Sequence, residues 1–225
     1  MVIMKTGEIY SAAQLVEYVN DIGFLPLLGS GVAGFSAEEA VSDDCRYVVF
    51  PDGGWDWPLW KWKGEVVTDG GCVYGKFFGG KAGFISLQWW PDFCNYRRGS
   101  RQQIEEGSVE EAIVATLASR GSMIARELRA ACGFTGPKMR GRFDAYVNRL
   151  QMACRLVTED FVYPTDKHGR EYGWGWSLLT TPERLYGHEV CRADRTPKES
   201  LTRMLHHLEK VLPEASQSQL LKLLK

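Results

Sequence analysis

The sequence predicts an α+β, mostly helical fold. A winged helix-turn-helix domain is expected between an aromatic-rich N-terminal helical region with a small hairpin and a C-terminal helical extension. Three observations predict it. Between Ser108 and Leu179 the pattern reads as three helices followed by two strands around a basic tip, and glycines punctuate the short helices. From Arg120 to Arg155 eight Lys and Arg stand against only Glu127 and Asp144, in a chain of 225 residues with formal net charge −1. Positive charge is therefore concentrated where a groove-binding surface needs it. A hydrophobic content of 44% is sufficient for a proper core.

The N-terminal region, residues 1–101, is expected to open with a helix capped by Ser11 and Gln14, with Ala12, Leu15, Val16 and Val19 on its apolar side and Gly23 at its stop. The apolar run Phe24 to Leu28 and a flexible Gly29-Ser30-Gly31 follow. Ser36 with Glu38 and Glu39 starts the next helix, since acids favour the positive end of the helix dipole. Up to Gly70 this region holds eleven acids against Lys5, Arg46, Lys61 and Lys63, which makes it a poor DNA surface by charge alone. Four of the eight tryptophans lie in Trp55-Asp56-Trp57-Pro58-Leu59-Trp60-Lys61-Trp62-Lys63. Rings interleaved with lysines can stack on unpaired bases, but the three-residue spacing of Trp57 and Trp60 on a helix starting at Pro58 favours core packing. Gly75 to Ala82 nearly matches a phosphate-binding loop, yet Ala82 stands where Ser or Thr must hold magnesium. Gly79-Gly80 between two apolar runs instead predicts a tight hairpin and no nucleotide. The run Arg97 to Ser108 reads as a linker or exposed corner.

In the second region, residues 102–190, Ser108 and Glu111 form a capping box for a helix with Val109, Ile113 and Leu117 inward and Gly121 at its end. Ser122 is expected to cap a short second helix with Ile124, Leu128 and Ala131, ended by Gly133. Pro137 suits the first turn of the third, whose Met139, Phe143, Tyr146, Val147 and Leu150 recur three or four apart. In a helix-turn-helix this last helix enters the major groove, where Arg pairs with guanine and Asn with adenine. The remaining faces of the third helix carry Lys138, Arg140, Arg142, Asn148, Arg149 and Gln151, the residue types that a groove-facing helix requires. Leu156 to Tyr163 and the alternating Tyr172, Trp174, Trp176 and Leu178 predict a wing, with Trp174 and Trp176 buried against the helices. Its tip carries Lys167, His168 and Arg170, of which Lys167 and Arg170 are expected on phosphates. Winged helices also serve as protein-interaction modules, so the charge pattern carries the nucleic-acid reading and the fold alone does not.

In the third region, residues 191–225, Thr196-Pro197-Lys198-Glu199 caps an amphipathic helix with Leu201, Met204, Leu205, Leu208 and Val211, and the chain closes on Leu220, Leu221, Leu223 and Leu224. These leucines are expected either to pack back or to pair two subunits as a homodimer. No apolar run reaches the length of a membrane span and the first residues lack a signal-peptide pattern, so no membrane contact and a cytoplasmic location are expected. The six cysteines are widely separated with no C-x-x-C, the pattern of reduced, mostly buried thiols. The four histidines are expected in structural or surface roles, and no metal or other cofactor is expected.

The stretch from Arg126-Glu127-Leu128 through Arg142-Phe143-Asp144, Leu150-Gln151, the hairpin and Leu178 to Arg184 resembles the winged helix of the AlkZ-like family, bacterial DNA glycosylases that excise alkylated or crosslinked bases. Tyr74 to Phe78 and Lys81 to Pro91 resemble the segment that family carries upstream, although this chain is shorter. The resemblance implies duplex DNA as partner and a catalytic Gln-any-Gln or Gln-any-Asp pair just after an early helix. Here that alignment places Pro26 and Leu28 on the two catalytic positions, and neither side chain can hold a water or stabilise a sugar cation. Asp21 and Glu17 are the nearby carboxylates, whereas Gln217-Ser218-Gln219 imitates the motif far away in a surface helix. The expected function is therefore duplex binding without the family's catalytic pair, with excision of damaged bases as the alternative.

Overall fold

The computed structural model describes residues 7–51, 53–69, 71–101, 103–136 and 138–225. It is a mixed α/β structure with 49% helix against 17% strand, so helix predominates as expected. The chain begins with α1 (Ala12–Ile22), capped by Ser11 and stopped by Gly23 at φ +82°, then β1 (Phe24–Pro26) and two single-turn helices, α2 (Ala37–Ala40) and α3 (Asp43–Arg46). The short pair β2 (Val48–Val49) and β3 (Trp55–Asp56) leads into α4 (Pro58–Asp69). Next come β4 (Cys72–Phe78) and β5 (Lys81–Ser86), joined at Gly79-Gly80 with φ of +61° and +82°, the conformation that a two-residue hairpin turn requires and glycine supplies. The expected hairpin is thus present, with the Lys81 ammonium on the Gly29 carbonyl at 3.1 Å.

After α5 (Trp90–Ser100) follow α6 (Val109–Arg120), β6 (Met123–Ile124), α7 (Ala125–Ala131), α8 (Met139–Met152), β7 (Val157–Val162) and β8 (Trp176–Thr180). The chain ends with α9 (Pro182–Tyr186), α10 (Pro197–Val211) and α11 (Gln217–Leu224). Six strands form one antiparallel sheet in the order β1-β5-β4-β7-β8-β6, whose middle is closed by the pairing of Tyr74 with Thr158. Two clusters of buried side chains lie against it. The larger draws on α1, β1, β4, β5, α5 and the C-terminal helices; the smaller gathers Ile113, Leu117, Leu128, Phe143, Val147, Leu150, Leu156 and Leu179. Leu220, Leu223 and Leu224 pack back into the larger cluster, which is the first of the two roles expected for them. All six cysteines are free, four of them buried, and His207 stacks on Trp89 at 4.4 Å.

Several expectations need correction. Ser122 does not cap the second helix: it donates to the Glu159 carboxylate, and the two-residue β6 intervenes, held to β8 by Met123–Leu179 and Ile124–Leu178. The Glu111 carboxylate accepts from the Gly107 amide at 2.7 Å rather than reaching back to Ser108. The second strand of the β7–β8 hairpin starts at Trp176, not near Tyr172, because Gly173 and Gly175 adopt φ of +75° and +62° and turn the chain. Trp174 and Trp176 are accordingly exposed, by 56% and 44%, instead of buried. None of the four tryptophans between Trp55 and Trp62 is fully buried either: three are half-buried against the larger cluster and Trp55 is exposed. Arg97 and Arg98 do not form an exposed corner. Arg97 is sealed inside and donates to the carbonyls of Phe77, Met152 and Lys225, while Arg98 pairs with Glu183 at 2.6 Å. Pro137 lies outside the described residues, and α8 starts at Met139.

Candidate nucleic-acid interface

Helix α8 is fixed by Phe143, Val147 and Leu150, which point into the smaller cluster, and by Gln151, whose side-chain oxygen accepts the Lys76 amide at 3.0 Å. Apart from Phe143, its N-terminal half faces solvent. Lys138, Arg140 and Arg142 are exposed there, and the one ion pair of Arg140, to Asp144, is long at 3.8 Å and solvent-accessible. Such a pair holds its arginine weakly.

Across from Arg140, helix α7 presents Arg126 and Arg129, three residues apart on one face flanking the buried Leu128. The three arginines, Trp176 and the backbone of Gly175 and Ser177 enclose a cleft of about 310 Å³ between α7, α8 and the start of β8. The Arg126 guanidinium carbon sits 5.1 Å from the centre of the Trp176 ring, so the exposed ring supports the cation from one side and leaves its N–H groups free to turn outward. A cleft with three guanidinium groups and one weakly engaged carboxylate, Asp144, suits a run of phosphate oxygens, because guanidinium meets phosphate through paired hydrogen bonds.

The other expected residues are not brought to this cleft. Asn148 packs at the β4–β5 turn, where a Cβ on Gly80 would come within 2.9 Å of its side-chain nitrogen. Arg149 faces α6, bound to Glu110 through Nε at 3.2 Å and Nη2 at 2.8 Å with the Tyr146 ring beneath it. At the tip of the β7–β8 connection Lys167 is exposed, whereas Arg170 is tied to Asp166 at 3.2 Å. The Asp166 carboxyl is held below its ordinary pKa chiefly by the Arg170 amide, then by the His168 amide and the Arg170 side chain. Arg126 and Arg129 were missing from the residues expected at the site. Their three-residue spacing in a basic stretch was the available signal, but only the third helix was taken to face a groove.

A family model described as AlkZ related matches residues 9–225, nearly the whole chain. The chain belongs to the AlkZ-related family. No curated protein and no solved structure matches it. In this AlkZ-related chain Pro26 is buried within β1 opposite Gly83, and Leu28 is exposed beyond the strand's end. Glu17 and Asp21, one turn apart on α1, are exposed. Gln219 completes the capping box of α11 with Ser216 and donates to the Gly31 carbonyl at 3.0 Å, so both ends of its amide are engaged. Among the described residues no helix is long and apolar enough to cross a membrane.

Proposed function

We propose that this AlkZ-related chain binds duplex DNA, in association with DNA repair, through a winged helix made of α6, β6, α7, α8 and the β7–β8 hairpin. The observation that carries the reading is the arginine cleft, in which Arg126, Arg129 and Arg140 converge with Trp176, while Lys138 and Arg142 are exposed at the same end of α8 without lining it. The order helix, strand, helix, helix, strand, strand, with the first strand paired to the last, agrees with a winged helix. Lys167 adds a wing-tip contact, while the packing of Asn148 against Gly80 and the ion pairs of Arg149 and Arg170 argue for smaller parts in binding.

Binding is tested by fluorescence anisotropy with a blunt labelled duplex over a range of salt. The logarithm of affinity falls with that of salt by about 0.9 per phosphate contact, so the Arg126→Ala/Arg140→Ala double variant is expected to lower the slope by about two units. Arg149→Ala is expected to change it little. A double variant with the parent slope would sink the assignment.

The same reading holds that the chain does not cleave glycosidic bonds by the route the resemblance implies, since a proline and a leucine occupy the positions aligned with the catalytic pair. Duplexes carrying 7-methylguanine or an interstrand crosslink are expected to yield no abasic sites. Excision that disappears in Glu17→Gln or Asp21→Asn would replace this half of the proposal with a reassigned carboxylate.

A further inference from the structure

A second cleft lies beside the first, with a different chemistry. Trp55, Trp57 and Trp60, from β3 and the start of α4, face Tyr163 and Trp174 of the β7–β8 connection across about 230 Å³. Trp57 and Trp60 stack at 5.3 Å with an interplanar angle of 26°, Trp174 stands edge-on to Trp60 at 5.0 Å, and Trp55 leans on Trp174 at 6.2 Å. The position is built rather than accidental, because the Trp60 indole N–H donates to the Trp174 backbone carbonyl at 2.9 Å and ties the connection to α4.

Three properties mark it as a place for a ligand. Trp55 and Trp174 expose more than half of their surface, although large rings grouped in one patch are normally covered. The buried atoms Trp57 Nε1 and Tyr163 Oη have no hydrogen-bond partner among the described residues, and most buried polar groups in folded proteins have one. The volume lies below the ~300 Å³ at which pockets begin to enclose drug-sized molecules, so the cleft suits a single flat ring system entering from solvent.

The fold also says what carries that ring. Gly173 and Trp174 wall the aromatic cleft, and the next three residues, Gly175, Trp176 and Ser177, wall the arginine cleft. Cations that take phosphates and rings that stack bases therefore adjoin along one five-residue segment, the combination that holds single-stranded nucleic acid. The one carboxylate lining the aromatic cleft, Asp56, is already engaged by Lys61 at 3.1 Å and by the Trp57 amide at 2.9 Å, which lessens its repulsion of a nearby phosphate.

We propose that this aromatic cleft binds one unpaired nucleobase of a DNA strand whose phosphates run over Arg126, Arg129 and Arg140. The proposal rests on the duplex-binding reading for its arginine half, and the experiment separates the two. Anisotropy is measured on a blunt duplex and on the same duplex with a short single-stranded overhang, using the parent, Trp174→Ala, Trp174→Phe and Trp55→Ala. Stacking of one base is worth about 5- to 150-fold in affinity. The parent is expected to prefer the overhang by a factor in that range, with quenching of tryptophan emission. Trp174→Ala and Trp55→Ala are expected to lose the preference while keeping blunt-duplex affinity, and Trp174→Phe to retain most of it. Both rings are largely exposed and the Trp174 carbonyl survives substitution, so the variants are expected to melt close to the parent. A parent that binds blunt and overhang duplexes equally overturns the proposal and leaves duplex binding standing. Overhang binding lost in Trp174→Ala, with no blunt-duplex binding by the parent, supports the cleft and removes the duplex reading. Emission quenched by tetramethylammonium but not by the oligonucleotide overturns the base-stacking proposal in favour of a cation cage.

Discussion

Lys63 is fully buried, with its ammonium 3.8 Å from the centre of the Trp60 ring and 3.6 Å from that of Phe161, and its hydrogen bond goes to the Trp60 carbonyl. Burial pulls its pKa down from 10.5 to about 7. Between those two values the unfolded chain carries the extra proton, so stability rises with pH across this window, and below about pH 7 the folded protein bears the full cost of a sealed charge. Lys63→Met is therefore expected to raise the melting temperature at pH 6, with the gain shrinking above about pH 7 and gone near pH 10.5. Thermal melts followed by circular dichroism check this, and a lower melting point for Lys63→Met at pH 6 would mean that the cation's contacts with the rings outweigh its lost hydration. The lysine was legible only as one of a row of charged and aromatic residues, since nothing in the sequence says which of two lysines two positions apart turns inward. Trp176 shows the converse error. Its alternation with Trp174 and Leu178 read as one buried face, but in β8 it is Leu179 that is buried, and Trp176 falls with half-buried Leu178 on the other face, its ring beneath Arg126. A loss of about 3 to 5 kcal/mol belongs to a buried aromatic; Trp176→Ala is expected to cost well under that, and to weaken DNA binding by releasing Arg126.

At the scale of elements, α5 and α10 are joined by Asp92, a buried carboxylate that accepts from Arg195 at 2.6 Å, from Ser200 at 2.9 Å and from Arg203. The two arginines are partly in solvent while the acid is not, and this makes the joint asymmetric. Removing Asp92 leaves cations that can turn to water. Removing both arginines strands a buried charge, at a cost of about 3 to 5 kcal/mol. Chemical denaturation is expected to find Arg195→Ala/Arg203→Ala clearly less stable than Asp92→Ala, and the reverse order would show that the arginines do not solvate the acid. The caps and stripes of α1, α6 and α10 were readable because the apolar period and the capping residue sit in the same stretch of chain, and α8 was readable from its stripe alone. Strand β6 was not. Two apolar residues carry no period, and their strand character comes from Leu178 and Leu179, which lie more than fifty positions away. The candidate site was legible in part for the same reason: α8 announced itself, but the convergence of Arg126 and Arg129 on Arg140 is a property of how α7 packs.

For the whole molecule, the two clusters share one sheet, and Arg97 fastens its surroundings by donating to carbonyls in β4, at the end of α8 and at Lys225. Arg97→Met is expected to lower the melting temperature by several degrees and to speed amide exchange in α11 more than in α6. Equal protection in both helices would show that α11 is held by its leucines alone. The larger cluster contains side chains from Ile9 to Leu224, so its first and last members are separated by nearly the full length of the chain. The smaller is complete once Leu179 is available. During synthesis at about 5 to 20 residues per second, the middle of the protein can therefore condense while the earlier-made strands β1, β4 and β5 still wait for partners that the ribosome has not released. Those strands already pair with one another, but the cover that Cys191 to Leu224 give the larger cluster comes only with the C-terminal helices, and until these emerge a chaperone is expected to find the apolar strands partly open.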